Sequence, residues 1–337
     1  MMSGSYEKLK ESRQEMVEKF LTMMQQGTLN WTKGWNSSGL LPYNPVSDCR
    51  YQKGNRLRLF LAAMENHYQD PRWMTFKQAQ EAGLQIKKGS KGVRCEKWIF
   101  EKEQKVENEE GETIKEKVQL NSPIVSFFVL FNGEQIEGIP PLPDCDQQRS
   151  QSPEAKELAD RLISISECPV VEVAQPSACY QPGSDRILLP PRKFFNSIDE
   201  FNATLLHEMG HSTGHPDRLN RKIENDFGTP EYAKEELRAE LASAFGGLAL
   251  GIQANAVDEN HAAYLQSWMS VLRADPDELF RAAADADAIT ERIIGRYRER
   301  YPDLHLGQMQ HIETKPYHNI ETPEQQKQQK VHRRRKI

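Results

Sequence analysis

At 337 residues the chain is long enough for two domains of ordinary size, and its 37% hydrophobic content is low for a compact enzyme but too high for a disordered chain. A formal charge of −5 gives no general sign of a nucleic-acid partner, and no apolar run is long enough to span a membrane. Five dispersed cysteines (Cys49, Cys95, Cys145, Cys168, Cys179), none in a Cys-x-x-Cys pair, and first residues without the apolar core of a signal peptide lead us to expect a cytoplasmic protein with reduced thiols. In chain order, Leu9, Met16, Val17, Phe20, Leu21 and Met24 recur at helical spacing and predict an amphipathic helix over Tyr6–Gly27. A loop with Trp31 and Trp35 follows, then the segment from Arg50 to Arg58, and then a turn from Asp70 that leads toward a helix near Ala79. Gly89 and Gly92 punctuate a basic turn that leads into a strand. Residues 101–116 read as an exposed acidic excursion, and 123–131 as a second strand, apolar enough to be buried on both faces.

Apart from the excursion, this half interleaves Arg and Lys with Trp, Tyr and Phe. Surfaces of that kind bind single-stranded nucleic acid, because cations follow the backbone while bases stack on rings. The competing explanation is an aromatic core beneath an ordinary solvated surface.

Proline and polar residues over 144–153 mark a linker. Beyond it we expect a helix over 153–166, a strand over 170–173, and a hairpin over 178–189 that turns at Pro182-Gly183-Ser184-Asp185. Ser197 followed by Glu200 forms a capping box for a helix that carries His207-Glu208-Met-Gly-His211. Histidines four residues apart on a helix share one face. This is His-Glu-x-x-His, in which two neutral imidazoles bind zinc and the glutamate activates the bound water. Gly214 and Pro216 end that helix. A catalytic zinc site needs a third protein ligand, and spacing leaves Asp217, Glu236 and Glu240 open. Glu236 and Glu240 belong to a predicted helix over 232–252, which would hold a carboxylate more firmly than the loop at Asp217. Further helices are expected around Trp268 and from Asp275-Pro276 to about Arg300, before a basic tail over 313–337.

The ordered set Trp31…Trp35, Arg50-Tyr51-x-x-Gly54-Asn55, Trp73-Met-Thr-Phe-Lys-Gln-Ala79, Lys88-Gly-x-Lys91-Gly and Phe131-Asn132 resembles the N-terminal domain of the ArdC-like antirestriction proteins of conjugative plasmids. The second half resembles the zincin-type metallopeptidase domain that accompanies it. The matching residues are Tyr180-x-Pro-x-x-Asp185-x-Ile187-x-Leu-Pro190, His207 to His215, Arg218-Leu-Asn-Arg221 and Glu235-Glu-Leu-x-Ala-Glu-Leu241.

The resemblance implies an α+β fold in two domains: a single-stranded-DNA-binding domain over 1–143, and a helix-rich zincin-like metallopeptidase domain over 154–312 with a small antiparallel sheet. It implies an antirestriction function that protects incoming mobile-element DNA. The cofactor is expected to be zinc or another divalent ion such as manganese. The expected partners are single-stranded DNA and a protein substrate such as a host restriction component. Zincins with a glutamate ligand assign His207, His211 and Glu236 to the metal, Glu240 to a supporting position behind a histidine, and Glu208 to catalysis. Residues 187–189 would form the strand edge beside the cleft, and Tyr180 is either a donor to the tetrahedral intermediate or a hairpin core residue. For DNA the expected residues are Trp35, Arg50, Tyr51, Asn55, Arg56, Trp73, Lys77, Lys88 and Lys91. A rival expectation keeps the fold, shields DNA by binding alone, and leaves the metal site structural.

Overall fold

The computed structural model describes residues 4–26, 41–107, 113–142, 155–223, 225–252, 259–302 and 312–313. The expected linker and almost all of the basic tail lie outside these, as do Trp31 and Trp35.

Helix α1 (Gly4–Gln25) turns Leu9, Met16, Val17, Phe20 and Leu21 inward, as its periodicity predicts. A short hairpin, β1 (Tyr43–Asn44) and β2 (Cys49–Arg50), leads to α2 (Lys53–Asn66). Every residue from Arg56 to Met64 is buried, so α2 is a central helix without the polar stripe that would mark a surface helix. It ends where His67 takes a left-handed conformation (φ 57°). β3 (Trp73–Met74) is followed by α3 (Phe76–Glu81), which Thr75 and Gln78 cap reciprocally.

Two-residue strands β4 (Gln85–Ile86) and β7 (Ile136–Glu137) pair at the base of a long ribbon. The ribbon is β5 (Val93–Glu107) against β6 (Thr113–Asn132), with β3 added beyond β6. Residues 101–107 and 113–116 of the expected acidic excursion are therefore strand, part of the ribbon, and 108–112 lie outside the described residues. Strand β6 is not buried on both faces as expected: Val125 and Leu130 are buried, whereas Ile124 and Val129 are exposed.

In the second half, α4 (Ala155–Ile165) precedes a three-stranded sheet ordered β8 (Val170–Glu172), β10 (Arg186–Leu189), β9 (Cys179–Gln181). β10 pairs antiparallel with β9 and parallel with β8. The expectation that residues 187–189 form an edge is thus corrected: they form the central strand, and β9 is an edge. Helices α5 (Ile198–Ser212), α6 (Pro230–Leu250), α7 (Glu259–Ala274) and α8 (Asp277–Arg300) complete the half. Among the described residues no helix is long and apolar enough to cross a membrane.

One buried cluster runs through both halves, from Met16, Phe20 and Phe60 to Leu237, Phe245, Ile289 and Tyr297. Helix α2 packs on α8, and α8 packs on α6. Two polar ties cross the same seam. Arg56, fully buried, pairs with Asp287, which also accepts the Lys53 backbone N–H. Arg13 joins Glu96 of β5 at 2.7 Å to Asp277 of α8 at 2.8 Å. Buried charges of this kind are tolerated only when paired.

Candidate metal centre

Helix α5 begins at Ser197, whose Oγ accepts the Glu200 N–H at 3.1 Å, while the Glu200 carboxylate accepts the Asn196 N–H at 2.8 Å. Phe201, Leu205, Leu206 and Met209 are buried and set the helix's rotation. That rotation presents His207 and His211 to α6, with the two Nε2 atoms 3.1 Å apart. The helices approach closely at Gly210, where an added Cβ would lie 3.5 Å from Ala239 Cα.

From α6 the Glu236 carboxylate faces both histidines, with Oε2 3.5 Å from His207 Nε2 and Oε1 3.4 Å from His211 Nε2. Two imidazole nitrogens and a carboxylate oxygen thus meet within 4.8 Å of one another. Two nitrogens and one oxygen from rigid helices form a donor set that fits a divalent metal ion and leaves further positions open. Behind the ligand atoms, His207 Nδ1 faces Glu240 Oε1 at 3.7 Å. His211 Nδ1 faces Glu235 Oε1 at 3.3 Å, and Arg221 grips that same carboxylate at 2.7 and 3.2 Å. Arg221 also donates to Gly210 O and Thr213 Oγ1 at the end of α5.

The surrounding acids govern titration here. Burial opposes protonation of His207, but the hydrogen bond to Glu236 and the charge of Glu240 outweigh it and raise its pKa to about 9. For Glu236 burial favours the neutral form, yet its contacts with both histidines pull its pKa well below the usual range. Glu208 is different: burial raises its pKa, against the pull of the two histidines. The nearby Tyr180 backbone also favours its ionised form, and β9 packs on α5 beside the site.

Asp217 is not drawn in. Its side chain is 91% exposed and pairs loosely with His215. The Tyr180 side chain is buried in the hairpin, and its hydroxyl donates to Asp185 Oδ1 at 2.8 Å. Arg218 clamps that same Asp185 at 2.7 and 2.9 Å and holds Ser212 O at 2.6 Å. In this structure the hydroxyl proton goes to a carboxylate that ties β9 to the end of α5, the arrangement of the hairpin-core alternative for Tyr180.

The expected DNA residues separate by burial. Trp73 and Arg56 are fully buried, which removes them from any DNA surface. The Asn55 side chain bonds both ways to the Glu96 backbone at 2.8 and 2.9 Å. The Tyr51 hydroxyl donates to Trp73 O at 3.1 Å, and Arg56 Nε donates to Tyr51 O at 3.0 Å. Trp73 and Arg56 thus belong to the core, while Tyr51 and Asn55, half-buried, spend these polar groups on the fold. Arg50 is half-buried, whereas Lys77, Lys88 and Lys91 are exposed. Sequence reasoning passed over Glu235, Arg218 and Arg221 as functional residues. A signal was present in Glu235 beside Glu236 and in the two arginines three apart just after the helix.

A family profile described as the N-terminal domain of anti-restriction factor ArdC matches residues 10–131, and one described as a zincin-like metallopeptidase matches residues 157–285. Over 297 residues the chain is 39% identical to a DNA primase TraC of Escherichia coli, which covers 85% of this chain and 27% of that protein. The chain thus spans about a quarter or less of the length of the TraC primases it matches. It is 27% identical over 285 residues to the uncharacterized protein y4eC of Sinorhizobium fredii, covering 82% of this chain and 90% of that one. The crystal structure of the antirestriction protein ArdC from the R388 plasmid aligns in its metal-free form with a TM-score of 0.66 and 28% identity, over 85% of this chain and 98% of that one. Its Mn(II)-bound form aligns with a TM-score of 0.63, again at 28% identity, over 85% and 97%. With both domains matched in order and the same architecture over most of its length, the chain belongs to the ArdC-like antirestriction family, an ArdC-type N-terminal domain joined to a zincin-like metallopeptidase domain.

Proposed function

We propose that this chain binds single-stranded DNA through its N-terminal half, residues 1–143, and hydrolyses a peptide bond at the centre formed by His207, Glu208, His211 and Glu236. In this reading it protects incoming mobile-element DNA, with a protein such as a restriction component as the peptidase substrate. The observation that carries the peptidase reading is the carboxyl of Glu208 placed beside a three-donor site with open positions. A purely structural metal site would be closed by a fourth protein ligand and would have no use for that acid.

His207, His211 and Glu236 would hold the ion, which we take to be zinc, with manganese as the alternative that the R388 protein's Mn(II)-bound structure suggests. When bound, such an ion supplies Lewis acidity to a water molecule and to the scissile carbonyl. Glu208, whose pKa burial raises above the usual carboxylate value, accepts a proton from the attacking water and delivers it to the leaving amine. Glu235 and Glu240 keep the Nδ1 positions of the two histidines occupied, so each Nε2 lone pair faces inward. The free side of β9 offers backbone groups to an extended substrate chain.

The deciding experiment compares DNA protection in cells by wild type and Glu208→Gln. Loss of protection with metal retained is the expected result. Equal protection would assign the biological role to DNA binding alone.

A further inference from the structure

Most cations of the N-terminal half that reach the interior are matched by carboxylates: Arg13 and Arg58 by Glu96, Arg56 by Asp287, and Arg72 by Asp70. Lys88, Lys91 and Arg94 are different. All three are exposed, and among the described residues none takes part in an ion pair.

They are held in one place. Gln135 grips both ends of the turn that carries the lysines: its backbone O accepts the Lys87 N–H at 2.9 Å, and its side chain donates to Lys91 O at 3.0 Å. Its Oε1 is itself fixed by the Asn132 N–H at 2.9 Å. Inside the turn Ser90 N–H reaches Lys87 O at 3.1 Å, and Gly89 supplies the positive φ of 87°. At Gly92 the turn lies so close to β6 that an added Cβ would collide with the Val129 side chain and lie 2.9 Å from Leu130 O. The turn that carries the lysines therefore lies at the end of the ribbon where β5 begins.

Two residues past Gly92, Arg94 stands directly across from Val129. Phe127 is two residues along β6 on the same side, and the Arg94 guanidinium lies over its ring at 5.9 Å. Val129 is 43% exposed, an uncovered apolar residue between a cation and a lysine turn.

We propose that single-stranded DNA docks on this face of the β5–β6 ribbon. Lys88 and Lys91 take successive phosphates, Arg94 and Phe127 form a platform for a base, and Val129 is its apolar floor. This rests on the single-stranded DNA reading above and gives it a surface. Bases stack on such platforms only when their faces are free, which a duplex does not allow. The unmatched charge selects a polyanion, and the prearranged turn lowers the ordering cost of binding.

The test uses the full chain and a fluorescein-labelled oligothymidylate, followed by fluorescence anisotropy over a salt series. Lys88→Glu/Lys91→Glu should weaken binding at least about tenfold and flatten the salt dependence by roughly 1.4 in log–log slope, two phosphate contacts at about 0.7 each. Lys19→Glu/Lys234→Glu, with the same change in net charge at distant sites, should bind as wild type does. Arg94→Ser should weaken binding with the lysines intact. An oligonucleotide carrying 5-iododeoxyuridine, photocrosslinked to the wild-type protein, should label the peptide that contains Phe127, and this readout needs no variant to fold. If wild type fails to bind the oligonucleotide, the single-stranded DNA reading falls. If wild type binds, but both double variants bind equally or every crosslink maps elsewhere, this platform is wrong while that reading stands.

Discussion

Arg221 and His211 meet on one oxygen: Glu235 Oε1 receives the Arg221 guanidinium at 2.7 Å and faces His211 Nδ1 at 3.3 Å. Burial favours the neutral form of Glu235, but the hydrogen bonds with His211 and then Arg221 lower its pKa, and the carboxylate so anchored holds His211 in the orientation that points Nε2 at the metal site. Arg221→Met or Glu235→Gln should lower metal affinity about 10–100-fold, the usual scale for a partner behind a ligand. The two losses should be far from additive when combined, because they break one chain of contacts. Chelator competition would measure both. A double variant whose losses simply add would show that Arg221 serves only to end the helix.

Asp217 and Glu236 make opposite predictions. Glu236→Ala should lose most of the metal affinity, whereas Asp217→Ala, with a solvent-exposed carboxylate, should bind metal as wild type does. Glu208→Gln should keep the metal and lose hydrolysis. Metal content after gel filtration ranks the three, and a Glu208→Gln protein without metal would reverse the assignment of ligand and base.

Tyr180→Phe tests where its hydroxyl acts. The hydrogen bond to Asp185 should be worth about 1.5–3 kcal/mol of stability, since its acceptor is charged. Hydrolysis should change only a few-fold. A fall of 100-fold or more at unchanged stability would instead place the hydroxyl on the transition state.

Glu96 gives an acid-side prediction. Burial favours its neutral form, but hydrogen bonds and charge from Arg13 and Arg58 hold its pKa below the ordinary value. A depressed folded-state pKa contributes stability that is complete above the unfolded value of about 4.3 and is lost as pH falls through the folded value. Wild type should therefore lose its advantage over Glu96→Gln as pH drops below about 4.5. Urea midpoints at pH 7 and pH 3.5 would show it. A stability difference between the two proteins that is the same at both pH values would rule the network out as the cause.

Local rules determine what can be decided over a few residues. The 3.6-residue period alone puts His207 and His211 on one face of α5, and the Ser197 cap marks where that helix starts. The same period made α1, α6 and α8 legible to within two residues. Burial is another matter. Trp73, Arg56, Asn55 and Tyr51 carry side chains that suit a DNA surface, and nothing in their identity says that Asp287, Glu96 and the β3 backbone would claim them. Strand β9 at the site is likewise beyond local reading, because a hairpin does not reveal which of its strands a third will join; β8, some ten residues earlier, paired with β10. The third metal-site residue was open for the same reason. Asp217 and Glu236 are equally good ligands by type, and the choice between them was made by the packing of α6 across α5, which aims one carboxylate at both histidines and leaves the other in water.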